Sequence, residues 1–114
     1  MNQVFCSLDD GKATLRILYT LHGEGTFVSR GQLEETLDMS GVGRSAFYSS
    51  LKVLQKLGLI INVRRRVDGK NLLFTELTEK GDKIVNAIDE LYTVIEQEYP
   101  EKNKRRVLKT DRGE

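Results

Sequence analysis

The sequence predicts an α+β domain, on three observations. Two short amphipathic helices broken by a glycine-bearing turn fill residues 29 to 57, an arginine-rich hairpin fills 59 to 77, and one long helix with two apolar columns fills 78 to 99. Helix, turn, helix and hairpin in that order are the parts of a winged helix-turn-helix, and the long helix is left over for dimerisation. The folded unit is placed at residues 8 to 99. A basic tail, 100 to 114, has no apolar periodicity and is expected to be disordered.

Upstream of the helix pair, Ser7 or Asp9 opens a helix that carries Leu15, Leu18 and Leu21 and stops near Gly23. This helix closes the core, and His22 in its last turn suits the helix dipole. In the next helix Ser29 caps the first turn, Gln32 stands where a capping box needs it, and Leu33 and Leu37 form one apolar stripe. The segment from Met39 to Gly43 then carries two glycines in three residues, which breaks the pattern and permits a tight turn. A second helix follows at 44 to 57. Its Phe47, Leu51 and Leu54 recur at spacings of four and three and build a buried stripe, with Val53 and Leu57 widening it.

The opposite face of that helix carries Arg44, Ser45, Tyr48, Ser49 and Lys52, at spacings of one, three, one and three. All five are donors or hydroxyls suited to base edges and phosphates, and no acidic residue is expected to interrupt the strip and repel phosphate. After it, the β-branched run Leu59 to Val67 ends in Asp68-Gly69, the dipeptide of a two-residue type I′ turn, and Lys70 to Leu77 runs back. A turn that tight sets Val67 against Lys70, Arg65 against Leu72 and Val63 against Phe74. Ile61, Val63, Leu72 and Phe74 then share one face, and Arg64 and Arg66 share the other with Asn62 and Asn71. Two readings follow: a wing whose arginines touch phosphate or a narrow minor groove, or an edge strand kept soluble by charge.

These residues resemble the winged-helix transcription regulators of the MarR and PadR families and, more loosely, the ArsR family, over Leu15 to about Ile95. The resemblance is carried by Leu51-Lys52-Val53-Leu54 leading to Leu57-Gly58-Leu59-Ile60, by the wing from Arg64 to Asn71, and by Leu77-Thr78-Glu79-Lys80-Gly81. It implies that the helix before Gly58 enters the major groove, that the wing meets the backbone or minor groove, and that the Leu-Thr-x-x-Gly stretch opens the last helix. It also implies a short strand at Thr26 to Val28 as a third member of the sheet. The order is then helix, strand, helix, helix and two wing strands before the long helix.

Charge points to the same surface. The chain is nearly neutral, with 18 basic and 17 acidic residues, yet residues 44 to 71 hold seven basic side chains and one acidic, whereas 72 to 99 hold two basic and seven acidic. A basic front and an acidic back orient a protein on a polyanion. At 114 residues with one cysteine and no apolar run near the length of a membrane span, the composition fits one small soluble domain of the cytoplasm. Cys6 is expected as a free thiol, with an intersubunit disulfide as the alternative. One His and one Cys separated by a helix make no metal cluster, and no glycine run has the form of a phosphate loop. Neither a cofactor, a catalytic group nor a metal site is therefore expected, and whether an effector ligand exists stays open.

The last helix is capped by Thr78 and bounded by Pro100. Ile84, Ile88, Leu91 and Ile95 follow the spacing of a coiled-coil seam, while Val85, Tyr92 and Tyr99 add a column seven residues apart. One column can cover the domain and the other needs a partner, so a homodimer interface is expected at Ile84, Ile88, Leu91, Tyr92 and Ile95. The alternative is a helix that folds back on the first one within a single chain. The reading as a whole is a dimeric regulator, a repressor, bound to double-stranded DNA. Arg44, Tyr48, Ser49 and Lys52 face the bases with Ser45 beside them in the DNA-binding strip, Arg64, Arg65, Arg66 and Lys70 hold the backbone or minor groove, and Arg30 at a helix start adds a phosphate contact. The competing readings are a protein-interaction module on the same fold and a weakly specific chromosomal protein.

Overall fold

Residues 1–24 and 27–100 are described by a computed structural model, so Thr26 and the tail from residue 101 lie outside the described residues. The chain begins with a helix that the apolar spacing did not predict. Helix α1 (Gln3–Leu8) is capped by Asn2, whose side chain accepts from the Val4 N–H, and it buries Phe5 and Cys6. Asp10 and Gly11 both adopt positive φ, which ends α1 and turns the chain into α2 (Thr14–Glu24), the helix that the leucine spacing predicts. Ser7 lies inside α1. Asp9 does open α2, from a distance: its carboxylate accepts from the Leu15 and Arg16 N–H groups and from the Thr14 hydroxyl. The folded unit accordingly extends upstream of the expected boundary at residue 8.

Strand β1 (Phe27–Ser29) leads directly into α3 (Arg30–Thr36), with Ser29 ending one and capping the other. The Gln32 N–H donates to the Ser29 Oγ at 3.2 Å, but the Gln32 side-chain Oε1 accepts from that same hydroxyl rather than from the Ser29 amide, so the capping box is half formed. The turn after α3 ends at Gly43, and α4 (Arg44–Lys56) follows. A Schellman motif closes α4: Gly58 has φ of 77°, its N–H donates to the Gln55 carbonyl, and the Leu59 N–H donates to the Leu54 carbonyl. That geometry explains the glycine of Leu57-Gly58-Leu59.

Strands β2 (Ile60–Val67) and β3 (Lys70–Leu77) form the hairpin in the predicted register, Val67 against Lys70, Arg65 against Leu72 and Val63 against Phe74. Asp68 and Gly69 have φ of 50° and 78°, as a type I′ turn requires. β1 pairs with the outer side of β3, giving a three-stranded antiparallel sheet in the order β1-β3-β2. The core-facing side of that sheet is the one carrying Ile60 and Thr75, both buried. Thr75 satisfies its hydroxyl there on Asn62, its cross-strand neighbour. The face of Ile61, Val63, Leu72 and Phe74 therefore looks outward, with Ile61 44% and Leu72 37% exposed.

Helix α5 (Glu79–Glu98) starts at Thr78, whose hydroxyl accepts from the Gly81 N–H and donates to the Gly58 carbonyl at 2.6 Å. At Gly81 a side chain is excluded, since a Cβ there would stand 2.1 Å from the Leu59 carbonyl oxygen. The Leu-Thr-x-x-Gly stretch is thus a clamp between the α4 terminus and the α5 start. Val85, Ile88 and Ile95 of α5 join Phe5, Ala13, Ile17, Leu18, Leu21, Leu33, Phe47, Leu51, Leu54 and Ile60 in one core. Tyr92 stacks on Tyr19, with ring centroids 4.4 Å apart, and meets Phe5 edge-on at 4.8 Å. No helix among the described residues is long and apolar enough to cross a membrane.

Candidate nucleic-acid interface

Two elements build the basic surface. On α4, the residues Phe47, Ser50, Leu51 and Leu54 face inward. Buried Ser50 bridges helices, donating to the Ala46 carbonyl and accepting from the Ala13 N–H at the start of α2, and so fixes the rotation of α4 about its axis. With that rotation fixed, Arg44, Ser45, Tyr48, Ser49 and Lys52 are all exposed on the opposite side. Val53 and Leu57 depart from the expected stripe and are 47% and 59% exposed. Val53 stands about 110° round the axis from the middle of the buried stripe, and Leu57 follows the last helical residue, so neither reaches the core.

Position of the turn before α4 depends on Arg16, a residue that no sequence pattern marked. Its side chain is 1% exposed and spans three segments: Nε donates to Asp9, Nη1 to the carbonyls of Asp38 and Ser40, and Nη2 to those of Cys6 and Lys12. The Asp38-Ser40 turn that delivers the chain to α4 is thus tied to α1 and α2. Asp38 adds a local bracket, accepting from the Ser40 N–H and hydroxyl, and these bonds hold its carboxyl below the ordinary carboxylate range.

A carboxylate missed at the sequence level reaches the strip from α3. Glu34 Oε2 accepts from Arg44 Nε at 2.8 Å, and Glu34 Oε1 accepts from the Tyr48 hydroxyl at 3.4 Å. The strip is therefore not free of acid, although none comes from its own helix. Arg30, the first residue of α3, sets its guanidinium carbon 5.2 Å from the centroid of the Tyr48 ring. The i, i+4 spacing of Arg30 and Glu34 was the available signal that both share one face of α3.

On the hairpin, Arg64 and Arg66 continue the face of Ile60 and Asn62, the one turned to the helices, but lie past the core and are exposed. Arg65 lies on the outer face, where its Nη2 donates to Glu76 at 3.3 Å, and Lys70 is exposed beside the turn. The structure thus joins Arg30, Arg44, Tyr48 and Glu34 into one cluster, sets Ser45, Ser49 and Lys52 along the same face of α4, and splits the wing cations between two faces.

The candidate interface residues of α5 divide as well. Ile88 and Ile95 are each 6% exposed and Tyr92 is stacked on Tyr19, so all three are used within the chain. Ile84 and Leu91 are exposed, and Ala87 and Val94 complete their column at spacings of three, four and three.

No family model and no curated protein matches the chain. Solved structures do. A MarR-family transcriptional regulator from Porphyromonas gingivalis W83 shares 24% identity over 79% of this chain and 82% of its own, with a TM-score of 0.61. The protein ytfH of Salmonella typhimurium, described as a transcriptional regulator, shares 22% over 90% and 87%, with a TM-score of 0.64. The adhesin competence repressor AdcR of Streptococcus pyogenes shares 18% over 91% and 81%, with a TM-score of 0.56. At such identities the likeness establishes the fold, a winged helix-turn-helix of the MarR kind.

Proposed function

We propose that this chain is a DNA-binding transcriptional regulator that acts as a homodimer and represses by occluding a promoter. One observation carries the reading: a fold shared with transcriptional regulators exposes five donor or hydroxyl side chains along the α4 face opposite its core. Helix α4 enters the major groove, with Arg44, Ser45, Tyr48, Ser49 and Lys52 toward base edges and phosphates. Arg64 and Arg66 hold the backbone or the minor groove, and Arg65 and Lys70 at the hairpin tip and Arg30 on α3 add positive charge. A copy of the chain covers the exposed α5 column of Ile84, Ala87, Leu91 and Val94, and a two-fold axis then sets two α4 helices in successive major grooves about 34 Å apart.

The wing is tested by titrating a mixed-sequence duplex at several salt concentrations. Each phosphate neutralised contributes roughly 0.9 to the slope of log affinity against log salt. Arg64→Ala with Arg66→Ala should weaken binding to every sequence and reduce the slope by about 1.8. An unchanged slope rejects the wing assignment.

A second reading has its own support. The outer hairpin face leaves Ile61, Val67 and Leu72 at 44%, 39% and 37% exposure, the apolar anchors that a protein partner buries. On that reading the fold is an interaction module of a transcription or assembly complex. Failure of the wild-type chain to bind any duplex at low salt would favour it.

A further inference from the structure

An acidic group on a surface meant for a polyanion calls for an explanation. Glu34 is that group, and its side chain is 20% exposed while that of its partner Arg44 is 77% exposed. A surface ion pair of this kind adds little to stability, so it is not needed to hold α3 on α4. What it does fix is geometry. The Arg44 guanidinium has its Nε committed to Glu34, and among the described residues Nη1 and Nη2 have no partner. With Nε held, the two terminal nitrogens are left as a fork of the kind that matches O6 and N7 of a guanine.

The same carboxylate reaches the next residue of the strip. Its second oxygen accepts the Tyr48 hydroxyl, and the Tyr48 ring is covered by Arg30, one turn before Glu34 on α3. One carboxylate thus orders two of the five strip side chains. Its charge also acts unequally, because it opposes phosphate, which carries a full charge, more strongly than the partial charges of base edges.

We infer that Glu34 is a positioning and specificity-determining residue, which holds Arg44 end-on for a guanine edge and withholds it from the phosphate backbone. The inference rests on the DNA-binding reading above. Removing the carboxylate frees Arg44 to swing to a phosphate, so non-specific affinity rises while discrimination falls.

The test uses the full chain, with Glu34→Ala, Glu34→Gln, Arg44→Ala and the double alanine variant. Each is titrated at two salt concentrations against the duplex that the wild type enriches from a random pool and against a scrambled duplex. Glu34→Ala should tighten binding to the scrambled duplex, steepen its salt slope by roughly 0.9 for one added phosphate contact, and cut the selected-to-scrambled ratio about five- to tenfold. In the Arg44→Ala background the same change should cut that ratio much less, leaving only the part that acts through Tyr48. Glu34→Gln keeps an acceptor for Nε without the charge and should retain more discrimination than Glu34→Ala. In the free protein, the Arg44 Nε–H resonance should be protected in the wild type and exchange faster in Glu34→Ala. An unchanged ratio in Glu34→Ala, an equal drop in the Arg44→Ala background, or an Nε–H indifferent to Glu34 overturns the inference while the DNA-binding reading stands. If the wild type enriches and binds no duplex, that reading falls and the inference with it.

Discussion

Five hydrogen bonds from the Arg16 side chain connect α1, the start of α2 and the turn before α4, so this one residue carries structural weight far beyond its surface. Arg16→Ala leaves the buried Asp9 carboxylate without its ion-pair partner and four carbonyls short of a donor, and should lower stability by about 3–5 kcal/mol in urea unfolding. Arg16→Lys should not restore it, because one ammonium group cannot span three segments as a planar fork does. Among the described residues, Cys6, Tyr19 and Asp38 contribute to the pH dependence. Burial pushes the Cys6 thiol above its ordinary 9.0 and the Tyr19 phenol above 10.0. Both are favoured neutral by the fold, so their contribution is complete below those ordinary values and is lost as pH rises past them. Asp38 is the opposite case: its contribution is present above its ordinary 3.8 and is lost as pH falls through the lowered value. Thermal unfolding should therefore give a Tm that is flat between about pH 5 and 8 and declines on both sides, with the alkaline limb shallower in Cys6→Ala. Residues such as Arg16, Ser50 and Glu34 were illegible in the sequence for one reason. Each acts through a partner on another element, and although spacing can place a side chain on a face, as for Glu34 beside Arg30, it carries no mark of that partner.

At the level of elements, caps, turn and hairpin register were legible locally, whereas the edges of the α4 stripe were not. The Ser29 and Thr78 caps, the Asp68-Gly69 turn and the register of β2 on β3 depend on residues a few positions apart, and the structure shows all of them. Helix α1 was missed because its six residues are too few to show an apolar periodicity. The inward face of the hairpin was not legible either. Alternation tells which residues share a face but not which face meets the helices, and here buried Ile60 and Thr75 decide against the more apolar side. The Leu-Thr-x-x-Gly stretch is the clearest gain from structure, since its glycine is required by contact and not by φ. Gly81→Ala drives a methyl group into the Leu59 backbone carbonyl and should destabilise the chain by about 3 kcal/mol, the upper end of overpacking costs, because the opposing atom is not a movable side chain. Lys80→Ala, at an exposed position one residue earlier, should leave urea unfolding nearly unchanged.

On the scale of the whole molecule, charge and apolar surface divide the work. Basic residues gather on α4 and the wing, acidic ones on α5, and the α5 column of Ile84, Ala87, Leu91 and Val94 is left exposed among the described residues. Leu91→Glu sets a charge in the middle of that column, outside the monomer core, so it should yield a folded monomer by sedimentation and weaken selected-duplex binding at least tenfold through loss of the second half-site. A dimer that persists in Leu91→Glu would place the interface elsewhere. The most direct test of the central claim is selection of bound duplexes from a random-sequence pool by the purified wild-type chain. An enriched inverted repeat, with half-sites about one helical turn apart, is the result that two α4 helices on a two-fold axis require. Recovery of no duplex even at low salt, or of a pool no different from the input, would contradict sequence-specific DNA binding by this chain.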